Sequence, residues 1–436
     1  MPNLSLGAWT PSKIAGLSIY PFDNNRMSYT LSHFETLRSR FPTWPELKEH
    51  LVSQGLRIVE NPDSGLVVIR YTKGTEDLAL FRSVVWDTVS NRPLCVAPPK
   101  SQNGEPPVDK QLSATEDFVD GVMVNAFVTN GALQLATRTT LGANNHFYSE
   151  KSFADMFSDA IGNTAMGGLN GLTEVLEAAR VDAEAVSCFA SFVLQHPEHR
   201  VVAKVEEAAA YVVQVGYVTE SGAINVCERA TNWPQAFGRL QVHSYATRRF
   251  AAGEAKQMLQ RTAVQRGWRW QGLVFKDGNG GRWRLRSTTY QTLRSLRGNE
   301  AKSEDRFLRL RASKQVMEYL KHYSEDRDVF WGLEQSLRAK TETVLQIYTA
   351  VHKARSMSFK DVPAAYKPAV FLLHKLWLEE LRPKGFVVRA FEAARVVAGL
   401  RDFEQKRLMD AEGFVVPVEA SAVEAVVASA ETVEAS

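Results

Sequence analysis

The chain has 436 residues, 44% hydrophobic and 23% charged, which is typical of a globular protein with two or three domains. It contains no apolar run long enough for a membrane span and no basic-then-apolar leader, so we expect a cytoplasmic, intracellular protein. Its three cysteines are widely spaced, which argues against a disulfide framework and a cysteine zinc site.

In chain order, residues 1–60 are expected to form an N-terminal extension packed on a sheet domain, with a helix from Pro45 to Gln54. β-Branched runs predict strands at Leu66–Tyr71 and Arg82–Asp87. Four prolines between residues 98 and 107 predict a loop.

Residues 122–184 are predicted to form a β-hairpin followed by helices. Val122–Val128 is a predicted strand, Asn130-Gly131 is a hairpin turn, and Leu133–Thr139 is the returning strand. A helical pattern covers residues 150–184. Strands return at three later places, Phe189–Leu194, Tyr211–Val218 and Gly272–Phe275.

Beyond residue 300 the hydrophobic period becomes helical, as in the run of Phe371, Leu372, Leu376 and Leu381. We therefore predict a sheet domain over residues 61–300 and an all-helical domain over 301–410. The rest, 411–436, lacks Lys and Arg and is predicted to be a disordered acidic tail.

Charge is distributed unevenly. Residues 236–311 contain 14 Arg and 3 Lys against 5 acidic residues. Such a block suits a phosphate-bearing partner, although a solvated surface with ordinary ion pairs explains it equally well.

Three motifs follow one another in a telling order. The first is Asp117-Phe118-Val119-Asp120-Gly121, and the second is the strand Phe189–Leu194. The third joins Gln271-Gly272-Leu273-Val274 to Arg284-Leu285-Arg286. In this order the chain resembles the covalent nucleotidyltransferases, and most closely the phage-type ATP-dependent RNA ligases, over residues 60–300.

The resemblance implies an α+β fold, with an antiparallel-sheet nucleotidyltransferase domain of the ligase type, similar to ATP-grasp, followed by an all-helical domain. It implies ATP as a ligand, Mg²⁺ if the protein is active, and nucleic acid, with RNA favoured, as partner. The implied cleft is lined by Asp120-Gly121 at a strand entrance. The nucleotide-binding positions that it implies are Arg82, Asp120, Gly121, Arg138, Gln271, Lys276, Arg284 and Arg286.

The same resemblance exposes departures at the chemical positions. The family's nucleophilic lysine falls on Phe118, and a phenyl ring cannot attack phosphorus. Its two carboxylates fall on Ser191 and Gln271, which removes charges that would recruit Mg²⁺. Arg284 and Arg286 stand at the positions of its lysine pair. The positive charge is kept, but each compact ammonium is replaced by a planar guanidinium group with several N–H donors.

Two functions follow as alternatives. The favoured one is a pseudoenzyme with degraded catalytic motifs that binds nucleotide or nucleic acid or has a structural role. The other is an active ATP-dependent RNA ligase in which Lys100, or less directly Lys110, is a displaced nucleophile. For Lys100 itself, a solvated loop charge or a phosphate contact is the favoured explanation, because nucleophile placement is unforgiving.

Other motifs have plainer explanations. His196 and His199 resemble metal ligands, but Pro197 between them favours a loop. Gly278–Gly281 resembles a phosphate-cradling loop, but a hairpin turn is favoured because no helix follows. Trp268, Trp270 and Trp283 alternate with arginines. This pattern indicates either a surface on which nucleic-acid bases stack or a strand with alternating burial.

The chain also resembles uncharacterised proteins of large DNA viruses, which share its Pro-Pro-Lys-Ser and Gln-His-Pro-Glu segments. That likeness implies a viral protein located in a virion or at a replication site. We further expect protein partners to bind through the helical domain, and no membrane association.

Overall fold

The protein divides into two compact units, Met1–Arg294 and Ser295–Ser436. The computed structural model describes residues 27–61, 64–73, 78–108, 110–227, 233–246 and 248–416. The first 26 residues of the predicted N-terminal extension and residues 417–436 of the predicted acidic tail lie outside this described part.

A six-stranded antiparallel sheet is the largest element of the first unit. Its strands are β1 (Met27–Leu31), β8 (Val122–Thr129), β9 (Ala132–Ala136), β10 (Ser187–Gln195), β11 (Ala209–Val218) and β12 (Ile224–Cys227). They follow the order β1-β12-β11-β10-β8-β9. Asn130 and Gly131 both have positive φ, as a tight turn between β8 and β9 requires.

Each face of this sheet buries a different core, because successive strand residues point to opposite sides. On one face, Ala190 and Phe192 pack with helices α3 (Phe153–Gly162) and α4 (Gly168–Asp182). On the other face, Phe189 packs with a four-stranded antiparallel sheet and two helices. These are β2 (Leu56–Glu60), β3 (Leu66–Tyr71), β4 (Val84–Asp87), β5 (Arg92–Val96), α1 (His33–Arg40) and α2 (Trp44–Ser53).

A five-stranded sheet completes the first unit. It contains β6 (Gln102–Asn103), β7 (Leu112–Asp117), β13 (Ser244–Tyr245), β14 (Gly272–Asp277) and β15 (Arg282–Arg286). The order is β13-β7-β14-β15-β6, and every pair is antiparallel except β15 with β6. Helix α5 (Glu254–Arg266) covers one face. Short 3₁₀ turns lie at Ala79–Arg82, Gln235–Leu240 and Gly267–Arg269.

Helices alone form the second unit in its described part. After α6 (Thr288–Arg297) come α7 (Ser303–Ala312), α8 (Val316–His322), α9 (Arg327–Tyr348), α10 (Lys367–Leu376), α11 (Ala390–Ala398) and α12 (Asp402–Met409). Helices α9 and α10 continue into π-helical turns at Thr349–Ala354 and Trp377–Leu381, and 3₁₀ turns lie at Ser324–Asp326, Phe359–Asp361 and Arg382–Lys384. No described helix is both long and apolar enough to cross a membrane.

The predicted α+β class, with antiparallel sheets followed by a helical region, is confirmed. Three local predictions are wrong. The strand expected from Arg82 begins only at Val84, because residues 79–82 form a 3₁₀ turn. The strand expected to reach Thr139 ends at Ala136.

The third error concerns α10. Phe371 and Leu372 are 60% and 38% exposed, whereas Val370 and Leu373 on the neighbouring face are fully buried. The apolar run therefore identified the helix but misplaced its buried face. Residues 411–416, predicted as part of the tail, contact the helices through a hydrogen bond of 3.4 Å from the Tyr366 hydroxyl to the Glu412 carbonyl.

Candidate functional site

The two faces of the five-stranded sheet differ sharply in chemistry. Strand β15 alternates Arg282, Trp283, Arg284, Leu285 and Arg286, and the burial of these side chains alternates with it. Trp283 and Leu285 join the core under α5. The three arginines therefore point to the opposite face of the sheet, away from this core.

The strands beside β15 add to this second face. Arg284 pairs with Val274, which pairs in turn with Glu116, and Arg282 pairs with Lys276. The Lys276 ammonium donates to the Val213 carbonyl of β11 at 3.0 Å, so the arginine-bearing face is directed toward the six-stranded sheet. A cavity of about 310 Å³ lies here, with Tyr29, Glu116, Lys276, Arg282 and Trp233 among its lining residues.

Phe118 lies at the end of β7, where the ligase resemblance requires a lysine. Its backbone N–H donates to the Gly272 carbonyl at 2.8 Å, which fixes its position next to β14. The guanidinium carbons of Arg284 and Arg286 lie 5.9 and 5.2 Å from its ring centre. The ring offers a π face to two cations but no lone pair for covalent chemistry.

Two further arginines extend the cationic surface around Tyr71. The Arg138 guanidinium lies 4.9 Å from the Tyr71 ring centre and donates to the Tyr71 carbonyl at 3.3 Å. Burial first, and then the charges of Arg282, Arg138 and Arg284 against the opposing effect of Tyr71, lower the pKa of Arg82 to about 10. The depressed pKa is that of a cation removed from solvent next to other cations.

Burial is also the main cause that lowers the pKa of Arg282 and of Arg284. At Arg282 the charges of Tyr29 and Glu116 oppose this effect, whereas at Arg284 the charge of Arg286 adds to it. The Nε atom of Arg282 is buried, and within the described ranges it has no hydrogen-bond partner. Arg284 Nε donates to Asn103 Oδ1 at 2.8 Å. We name Arg82, Arg138, Arg282, Arg284 and Arg286 the arginine cluster.

Asp120 lies two residues after Phe118 in the sequence, but its carboxylate holds the backbone at Val202 and the Tyr290 side chain of α6 in place. One oxygen accepts hydrogen bonds from the N–H groups of Val202 and Ala203 at 2.9 and 3.0 Å. The other accepts from the Tyr290 hydroxyl at 2.6 Å. Burial, followed by the charge of Asp120, raises the pKa of Tyr290, so the phenol stays a donor. Asp120 is therefore a structural anchor.

Close backbone contacts explain the glycines of the motifs. A Cβ atom on Gly121 would lie 2.3 Å from the Leu194 carbonyl oxygen of β10. Gly272 has φ of +146°, and a Cβ atom there would lie 2.0 Å from the Leu285 carbonyl oxygen. Both positions therefore demand glycine for packing, whatever chemistry the site performs.

Neutral groups occupy the two positions that carry carboxylates in the resembled family. The Ser191 hydroxyl is fully buried and donates to Asn125 Oδ1 at 2.8 Å. Asn125 Nδ2 is buried without a hydrogen-bond partner in the part of the chain that the structure describes. With its amide oriented to satisfy both ends, Gln271 donates to the Val119 carbonyl at 3.0 Å and accepts from Arg286 Nε at 3.2 Å.

The two lysines considered as displaced nucleophiles lie in different settings. Lys100 is exposed on the loop after β5, where its backbone N–H donates to the Ala79 carbonyl at 3.4 Å. Lys110 forms an ion pair of 3.0 Å with the buried carboxylate of Asp277. The structure thus brings Gln271, Arg284 and Arg286 together around Phe118, and it leaves Lys100 on an exposed loop.

The remaining motifs have structural roles. His196 Nε2 lies 3.2 Å from Asp159, and its Nδ1 accepts from the Glu198 backbone N–H at 3.2 Å, as the loop interpretation expects. No three metal-binding side chains cluster anywhere in the described ranges. The turn over residues 278–281 connects β14 and β15, so the hairpin prediction is confirmed.

The tryptophans divide into two groups. Trp270 and Trp283 are buried in the core under α5, as alternating burial predicts. Trp268 is half-buried, and the guanidinium carbons of Arg200 and Arg269 lie 5.8 and 5.2 Å from its ring centre. Only Trp268 therefore keeps the arrangement that a stacking surface would need.

Sequence reasoning missed Tyr71, Glu116 and Asn125. Tyr71 lies on a strand far from the motifs in sequence, and only the tertiary fold brings it beside Arg138. Asn125 follows Gly121 closely in sequence, but its contact with Ser191 depends on the pairing of β8 with β10. Glu116 carried a usable signal, because it lies two residues before Phe118 on the same strand face.

Comparisons with known proteins add one likeness. No family model matches the sequence, and no curated protein matches it. Among solved structures, the chain is similar to a protein named "Putative ATP-dependent DNA ligase from Aquifex aeolicus". The two share 13% sequence identity with a TM-score of 0.34, over 77% of this chain and 80% of that one.

Proposed function

We propose that this protein is a ligase-like, nucleotidyltransferase-type protein that binds phosphate groups of a nucleotide or a nucleic acid in the arginine cluster, without forming a covalent lysyl-nucleotide. One observation carries the proposal. Phe118 occupies the nucleophile position and is flanked by Arg284 and Arg286, so cations for phosphate remain where the nucleophile is missing.

The chemistry of the cluster supports phosphate as the ligand. Guanidinium groups bind phosphate oxygens through paired N–H donors, and buried cations gain most from an anion. Adenylyl transfer, in contrast, needs a nucleophile about 3 Å from the α-phosphorus and in line with the leaving group. ATP is the nucleotide that the family resemblance favours.

Nucleic acid is the proposed larger partner, with RNA favoured by the resemblance. The basic block over residues 236–311 contains three members of the cluster, Arg282, Arg284 and Arg286, and also Trp268 with Arg269. Phosphate contacts of this kind predict binding that falls steeply with salt. A salt titration with a labelled RNA tests this, and absence of binding even at low ionic strength contradicts it.

The decisive experiment is intact-mass analysis after incubation with ATP or GTP and Mg²⁺ or Mn²⁺, together with calorimetric titration of ATP. We expect an unchanged mass and measurable ATP binding. Arg286→Ala should weaken that binding roughly tenfold, because it removes a charge-assisted contact. The control Arg261→Ala, an exposed change on α5, should leave binding unchanged.

The second candidate function is an active RNA ligase with Lys100 as its nucleophile. The exposed position of Lys100 on the loop after β5 is the observation that favours it. A mass increase of one nucleoside monophosphate, abolished by Lys100→Ala, would establish this function and overturn the first proposal.

Other expectations stay predictions. A viral origin, with a virion or replication-site location, rests on the sequence likeness alone, and a cytoplasmic location likewise stays a prediction. Protein partners of the helical unit are supported by exposed aromatic side chains, since Phe371, Phe386 and Phe391 are 60%, 60% and 73% exposed. Pull-down with the isolated chain before and after Phe391→Ser tests that expectation.

A further inference from the structure

We infer that the arginine cluster binds its phosphate ligand in the metal-free form. Its guanidinium groups take the place that a divalent cation has in the resembled family. This inference rests on the proposed function and adds a property that the function does not require. It concerns nucleotides such as ATP without Mg²⁺ and the 5′-phosphate end of a nucleic acid, which share a terminal phosphate.

The first argument concerns the two carboxylates on the β7 face and at its end. Glu116 is almost fully buried and forms an ion pair of 2.6 Å with Lys276. Asp120 already accepts three hydrogen bonds, from Tyr290, Val202 and Ala203. Freeing Glu116 for a metal would leave the half-buried Lys276 ammonium without its carboxylate, and freeing Asp120 would leave three donors without their acceptor.

The carboxylates at the ends of the same strands are engaged as well. Asp117 accepts from the Tyr245 hydroxyl, Trp270 Nε1 and Arg266, each at 2.7 Å. Asp277 forms the ion pair with Lys110 and accepts backbone hydrogen bonds within its own hairpin. Mg²⁺ requires near-octahedral oxygen ligands and prefers carboxylates, so these residues do not fit a magnesium site.

The second argument concerns the unmet hydrogen-bonding capacity of the region. Arg282 Nε, Asn125 Nδ2 and the Thr115 hydroxyl oxygen of β7 are among the buried side-chain atoms that lack a partner in the residues that the structure describes. The two nitrogens are donors, and the hydroxyl can donate as well. An incoming anion oxygen can satisfy a donor, whereas a cation cannot. The deficit therefore points to a ligand that brings acceptors only.

The third argument is electrostatic. The arginines of the cluster repel one another. After burial, which is the largest cause, the charges of Arg282, Arg138 and Arg284 also lower the pKa of Arg82. A Mg²⁺ ion carried in on ATP would occupy phosphate oxygens that the guanidinium groups need, and it would be repelled by them at short range. The free polyanion should therefore bind better than its magnesium complex.

Calorimetric titration of the full chain with ATP tests the inference, once in EDTA and once in excess Mg²⁺ at matched ionic strength. We expect roughly tenfold tighter binding in EDTA, because Mg²⁺ displaces at least one charge-assisted hydrogen bond. Equal affinity, or tighter binding with Mg²⁺, would overturn the inference while leaving the proposed function intact. Absence of ATP and phosphate-end binding under both conditions would instead defeat the proposed function.

A second arm distinguishes the two sources of phosphate. RNA oligonucleotides of one sequence, with a 5′-phosphate or a 5′-hydroxyl, are compared in EDTA and in Mg²⁺. A Mg²⁺-sensitive preference for the 5′-phosphate would assign the site to a nucleic-acid end and support the inference. If ATP alone shows the Mg²⁺ penalty, the site is assigned to free nucleotide and the inference is again supported.

A variant sharpens the test. Gln271→Glu places a carboxylate beside Arg286 with almost no change in shape, and so restores one charge of the type that the family carries. We expect ATP binding in EDTA to weaken severalfold and the difference between EDTA and Mg²⁺ to shrink. An unchanged difference would contradict the role given to the arginine charges. Thermal unfolding of the variant confirms that it is folded.

Discussion

The two faces of the five-stranded sheet share one backbone and differ in almost everything else. On β15, Trp283 and Leu285 are buried under α5, while Arg282, Arg284 and Arg286 remain partly exposed on the opposite face. Removing an apolar side chain costs burial energy, whereas removing one of these cations relieves repulsion. On the proposed function, stability and phosphate binding would therefore depend on alternate residues of the same strand.

Gly272→Ala should have the largest effect, because it disturbs the backbone of β14, which carries the side chains of both faces. Its φ of +146° and the 2.0 Å approach to the Leu285 carbonyl oxygen leave no room for a Cβ atom. We expect a loss of about 4 kcal/mol in the free energy of unfolding, with loss of ATP binding. Urea denaturation measures the first effect and calorimetry the second.

The matched control for this variant is Gly278→Ala in the adjoining hairpin. A Cβ atom on Gly278 meets nothing within 4 Å, so we expect no loss of stability. Equal behaviour of the two variants would refute the argument from close backbone approach.

The next prediction separates the two faces at neighbouring positions. Trp283→Ala should cost about 3 kcal/mol of unfolding free energy, because it leaves a cavity under α5, and should preserve ATP affinity. Arg284→Leu should reduce ATP affinity roughly tenfold and leave stability unchanged or raised, since it removes a cation repelled by Arg286. If both variants lost stability alone, the division of labour between the faces would be wrong.

The smallest effect is expected in the hairpin that connects β14 and β15. Burial acts to raise the pKa of Asp277, but Lys110 and the N–H groups of Asn279 and Gly281 together hold it below the ordinary value of 3.8. A carboxylate with a depressed folded pKa contributes stability above its unfolded pKa, and this is lost as pH falls through the folded value. Asp277→Asn should therefore cost about 1 kcal/mol at neutral pH.

Urea denaturation across pH checks this prediction. The difference between wild type and Asp277→Asn should shrink as the pH drops below 3.8. Exposed Glu325→Gln serves as the control for a general loss of negative charge. A difference independent of pH would show that Asp277 acts through shape and not through its charge.

Local pattern was sufficient to predict much of the fold. The helix predicted from Pro45 to Gln54 is present at Trp44–Ser53, and its first turn is capped at Thr43, whose N–H donates to the Glu46 carboxylate at 3.2 Å. The run Leu66–Tyr71 is a strand, as its β-branched residues predict. Alternation and turn residues are properties of neighbouring positions, so they survive in a single sequence.

The site was less accessible to such reasoning. The order of motifs placed Phe118, Gln271 and Arg284 together, but the geometry of the candidate site depends on pairings across long stretches of chain. The contact between Asp120 and Tyr290 joins residues 170 positions apart, and Asn125 meets Ser191 across 66. No local pattern encodes such distances. The misplaced buried face of α10 has a similar cause, since partner helices decide which of two adjacent apolar stripes is covered.

The close approach of Gly121 to the Leu194 carbonyl has a consequence for how such a protein can change over time. An alanine at position 121 would collide with backbone at 2.3 Å, whereas the site already contains Phe118, Ser191 and Gln271 in place of charged groups. Close backbone contacts thus restrict which residue can replace Gly121 or Gly272, whatever chemistry the site performs. A motif search that weights Gly121 and Gly272 above positions 118, 191 and 271 should therefore recover distant members of this architecture whatever residues stand at those three positions.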